Sequence, residues 1–129
     1  MAEAELIKIM DKIFQEDFSA GFPDKISLKL KGIPSFRLVY LKGGTFIMGD
    51  DNSPYTEKKP AHKVKLDPFY MAEFPVTQNL FEAVTGNNPS SFKGARKPVE
   101  QVNWFDAVDF CNALNERAGL KKAYEKKGK

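Results

Sequence analysis

Apolar and polar residues change their spacing several times along this chain, and each change predicts an element. Leu6, Ile9, Met10, Ile13, Phe14 and Phe18 recur near one face of a 3.6-residue repeat, with Lys8, Asp11, Lys12 and Glu16 opposite, so residues 3–18 are expected to form an amphipathic helix. Gly21, Pro23 and Asp24 stop it. From Lys25 to Lys31 the period drops to two: Ile26, Leu28 and Leu30 alternate with Ser27, Lys29 and Lys31, the pattern of a half-buried strand. Strand-forming runs follow at Phe36 to Leu41 and Thr45 to Met48. The Gly43-Gly44 pair between them predicts a hairpin, because glycine tolerates the positive φ that tight turns need. Asp50 to Pro60 (DDNSPYTEKKP) has turn composition and no periodicity. His62 to Leu66 alternates again, with Val64 and Leu66 inward, and Phe69, Tyr70 and Met71 carry the apolar material past Pro68.

The last third reads as two helices. Thr77 is placed as the N-cap of a short one whose buried face is Leu80, Phe81 and Val84, and Gly86 ends it. The loop Asn87 to Arg96 is expected to be anchored by Phe92. Asn103 followed by Asp106 predicts a capping box, with Asp in place of the usual Glu. Behind it Trp104, Ala107, Val108, Cys111, Leu114 and Ala118 recur at helical spacing, with Gly119 as the terminator. Trp104 is expected in the core. Together these elements predict an α+β fold with a small antiparallel sheet, an N-terminal helix, a short helix and one long capped helix.

Composition narrows this picture without redirecting it. An apolar content of 42% and eleven Phe in 129 residues are ample for one small packed domain. The net charge of +3 arises in residues 121–129, where five Lys against one Glu give +4 and leave −1 for the rest, so nucleic-acid binding is not expected. No apolar run approaches the roughly 20 residues of a bilayer span. The N-terminus carries acids where a secretory signal carries positive charge, and Cys111 is the single cysteine, so a cytoplasmic protein without an internal disulfide is expected.

Five segments in sequence carry a resemblance: Gly43-Gly44-Thr45-Phe46-Ile47-Met48-Gly49; Pro60, His62, Val64 and Leu66 with Pro68-Phe69-Tyr70; Glu73 with Pro75-Val76-Thr77-Gln78 and Phe81; Asn88-Pro89-Ser90-Ser91-Phe92; and Pro98-Val99-Glu100, Val102, Trp104, Asp106-Ala107 and Phe110-Cys111-Asn112. Their order and spacing are similar to the opening half of the formylglycine-generating enzyme, or sulfatase-modifying factor, family. The resemblance runs from about Val39 to Tyr124 and implies a partial C-type-lectin-like fold. It divides the chain into residues 1–35 outside the match, 36–124 as the N-terminal half of such a domain, and a basic, frayed tail at 125–129. In the family the catalytic cysteine pair and the metal ligands belong to a second half, for which this chain has no counterpart. The resemblance therefore implies a truncated domain, with copper or calcium in play only alongside that second half.

The residues that could carry chemistry each have a plainer role. Cys111 lies on the apolar face of a helix, where a thiolate is disfavoured, and is expected to be a buried structural cysteine. His62 is the only histidine and lacks partners at metal-ligand spacing. Asp50, Asp51, Asn52 and Ser53 lack the glycine and closing Glu of a calcium loop and read as a solvated turn. Gly43-Gly44 joins strand to strand and is no phosphate loop. Glu100 and Asp106 form a formal carboxylate pair, but Asp106 is accounted for as the acid of the helix start. The Lys121 to Lys129 run reads as a solvated tail. No catalytic, cofactor-binding or metal-binding residue is assigned.

Two functional readings remain at this point. One is the scaffold half of an oxidoreductase-type domain, inactive alone. The other is a non-catalytic lectin-like module presenting loops 50–60 and 87–96 to a protein, peptide or small ligand. Self-association through uncovered core is a third expectation for the isolated chain, and no membrane contact is expected.

Overall fold

A computed structural model describes residues 21–125. The helix expected over residues 3–18 and the end of the basic tail, 126–129, lie outside them.

Five strands and two α-helices make up the described fold, an α+β arrangement of antiparallel sheets. Strands β1 (Lys25–Leu28), β2 (Phe36–Leu41) and β5 (Phe69–Ala72) form one sheet with β2 in the middle. Strands β3 (Gly44–Met48) and β4 (His62–Leu66) form a separate two-stranded ribbon. Ile26 and Leu28 are the buried positions of β1, as their alternation requires, but the strand stops at Leu28, and Leu30 enters a turn closed by Ile33 N–H donating to its carbonyl at 3.1 Å. The registers are Ile26 opposite Leu38 and Tyr40 opposite Tyr70. At the far end of the sheet Phe22 stacks on Tyr40 with centroids 6.2 Å apart, and Tyr70 meets Tyr40 edge-on at 5.4 Å. The Tyr70 hydroxyl donates to the Pro23 carbonyl at 2.6 Å, and burial, with Tyr40 and Asp24 nearby, raises its pKa.

The hairpin expected at Gly43-Gly44 does not form. β2 pairs with β5, and β3 with β4, so the chain leaves the sheet after Leu41, builds the ribbon, and returns to the edge of β2 that a hairpin would have used. The outgoing and returning segments pass each other at Gly43. A Cβ there would collide with the Leu66 carbonyl and sit 2.9 Å from Asp67 C and Pro68 N. Gly43 is needed for close approach, not for turning.

The short helix (Gln78–Thr85) and the long helix (Trp104–Arg117) enclose the core. Leu80, Phe81 and Val84 are buried as predicted, and with Phe110 they form the central cluster. The Phe81 and Phe110 rings stack at 5.4 Å with an interplanar angle of 10°. Thr77 is the N-cap by position, yet its hydroxyl donates to Asn79 Oδ1 at 2.6 Å and caps no backbone amide. Gly86 ends the helix in the left-handed region at φ 80°.

The capping box of the long helix is present in both directions: Asp106 N–H donates to Asn103 Oδ1, and Asn103 N–H to Asp106 Oδ2, each at 2.9 Å. At its other end Gly119 has φ 74°. Leu120 N–H reaches the Asn115 carbonyl at 2.8 Å and Gly119 N–H the Glu116 carbonyl at 3.1 Å, the paired bonds of a Schellman motif. Trp104, expected in the core, is 66% exposed and lies edge-on to Phe105. A 14-residue helix outruns its 8-residue partner, and its first turn overhangs. Ala107 on the same turn is exposed for the same reason.

The ribbon departs further from expectation. Every residue of β3 is exposed, and Leu66, expected inward, is 44% exposed. A two-stranded ribbon has two faces and no layer of its own to bury either.

Candidate functional site

A densely hydrogen-bonded loop surrounds Gln78, the first residue of the short helix and only 1% exposed. Its side chain is fully engaged. Nε2 donates to the carbonyls of Phe92 (2.9 Å) and Pro98 (3.3 Å), while Oε1 accepts from Asn88 Nδ2 (3.1 Å) and Gly94 N–H (3.0 Å). A buried amide is stable when all its donors and acceptors are met, and four bonds from one residue hold residues 88–98 in one shape. Backbone bonds add to this: Gln78 N–H to the Lys97 carbonyl at 2.9 Å and Val99 N–H to the Val76 carbonyl at 2.9 Å.

The loop was expected to hang on Phe92, but that ring is 75% exposed. The anchor is polar. Ser90, 2% exposed, accepts from Glu100 N–H at 3.1 Å. The Glu100 carboxylate turns back to accept from the Ser91 and Phe92 amides. Periodicity cannot reveal such a network. Its only trace in the sequence was the Thr77-Gln78 pair within a family-like segment.

The other residues singled out in the sequence are dispersed. Cys111 is half-buried beside the core cluster, and desolvation pushes its thiol pKa up, which favours the neutral form. His62 is exposed, with Nδ1 2.8 Å from the Pro60 carbonyl. Asp50 Oδ1 accepts from Asn52 N–H at 2.9 Å and Asp51 Oδ1 from Ala61 N–H at 2.8 Å, while buried Ser53 accepts from Tyr55 N–H at 3.2 Å. Glu100 and Asp106 are each tied to backbone amides in separate roles. Lys121 and Lys122 are exposed.

Among the described residues no group of three or more His, Cys, Asp and Glu is placed to hold a metal ion. The donors do not fit the family's metals either. A single desolvated thiol among apolar neighbours is no copper pair, and Asp50 and Asp51 spend an oxygen each on turn amides. Among the described residues no helix is long and apolar enough to cross a membrane.

A capped long helix against a short one, a side sheet, and an ordered loop pinned by Gln78 define the opening part of a known domain class. Residues 33–125 match the sulfatase-modifying factor enzyme 1-like domain, and the chain belongs to that family. The chaperone protein LppX of Paenibacillus barcinonensis is 41% identical over 87 residues, which are 67% of this chain and 29% of that protein. Treponema denticola variable protein 1 superposes with a TM-score of 0.66 at 30% identity, over 78% of this chain and 38% of the other. PvdO from Pseudomonas aeruginosa shares the fold, with a TM-score of 0.54 at 23% identity over 72% and 44% of the two chains. The chain thus spans under a third of the curated relative it matches, and under half of either structural relative.

Proposed function

We propose that this chain is the scaffold portion of a formylglycine-generating-enzyme-type domain and catalyses no oxidation by itself. One observation carries the reading: its only thiol, Cys111, is half-buried against the helical core, where desolvation raises its pKa. The polar side chains of the loop network and the helix cap have structural work. Gln78, Ser90, Glu100, Asn103 and Asp106 all hold backbone in place. In a polypeptide of the relatives' length, reactive cysteines and metal ligands would come from residues beyond those matched here. The test is incubation of the purified chain with a Cys-x-Pro-x-Arg peptide, copper and oxygen, read by mass spectrometry. No formylglycine is expected, and any copper-dependent product overturns the proposal.

A second reading is a binding module acting through loops 50–60 and 87–96. The exposed Phe92 on a rigid loop favours it, as does the name of a 41% identical relative as a chaperone. Pull-down of a random peptide display library by the wild type and by Phe92→Ser discriminates. Identical enrichment from the two proteins sinks this reading. A cytoplasmic location belongs to both readings and rests on the single cysteine. Recovery from a secreted or membrane fraction would contradict it.

A further inference from the structure

No further inference is drawn: the strongest candidate, the apolar groove between the three-stranded sheet and the helices with Phe36, Leu80, Phe110 and Leu114 among its lining residues, carries nothing, because its Arg37 and Glu73 already pair with each other at 2.8 Å and nothing in the structure shows what covers it.

Discussion

The helical core with its Gln78 loop and the β3–β4 ribbon are built from equally apolar sequence, yet they end in opposite environments. In the first, Leu80, Phe81, Val84 and Phe110 are buried and the adjoining loop is tied down by a buried amide. In the second, Phe46, Ile47, Met48 and Leu66 are all more than 40% exposed, although the strands pair in full register from Gly44–Leu66 to Met48–His62. Backbone pairing is therefore not what separates them. The difference is a partner layer: two helices supply one to each other, and among the described residues the ribbon has none. The helical region buries its apolar face within the described residues, and the ribbon leaves its own exposed.

Four substitutions would break or sharpen that contrast. Phe81→Ala removes half of the stacked pair and should cost about 3–5 kcal/mol, a large share of the roughly 5–15 kcal/mol that holds a domain folded, and should lower the melting midpoint read by circular dichroism. An unchanged midpoint would mean the core is not where the stability lies. Gln78→Leu keeps the volume but strands the Asn88 amide, the Gly94 N–H and two carbonyls, at a cost of roughly 2–3 kcal/mol. Faster hydrogen exchange across residues 88–98 should accompany it, and unchanged exchange there would show the loop is held by something else. Asn103→Ala deletes one arm of the capping box and should cost about 1 kcal/mol in chemical denaturation. Ile47→Lys on the ribbon should change stability by no more than about 0.5 kcal/mol and reduce self-association in sedimentation, because the position is 59% exposed. A loss above about 2 kcal/mol would show that the ribbon is buried in the folded chain after all.

The same contrast explains what could be read in advance. Both helix termini of the long helix were legible because caps are local: Asn103, Asp106 and Gly119 act within one turn of themselves. The buried face of the short helix was legible because Leu80, Phe81 and Val84 share one side. Trp104, Phe92 and Leu66 were misplaced for one physical reason. Apolar spacing tells which residues share a face but not whether another layer reaches it. Strand pairing was hidden too, since the glycine pair between β2 and β3 fits a turn and a close crossing equally well. Gln78 matters for partners distant in sequence, and it leaves no mark in periodicity.

Gly43 has a further consequence for how this chain tolerates change. Where the two sheets cross, main chain touches main chain, so no side-chain rearrangement can absorb an added methyl group. Along a ribbon whose side chains face solvent and accept almost any residue, a saturation library should show intolerant columns at position 43 and at Gly49, where φ is 96° and a Cβ would sit 2.7 Å from the Lys58 carbonyl oxygen. An evolving lineage could redecorate the ribbon freely, while that crossing would stay frozen as the hinge-pin of its architecture.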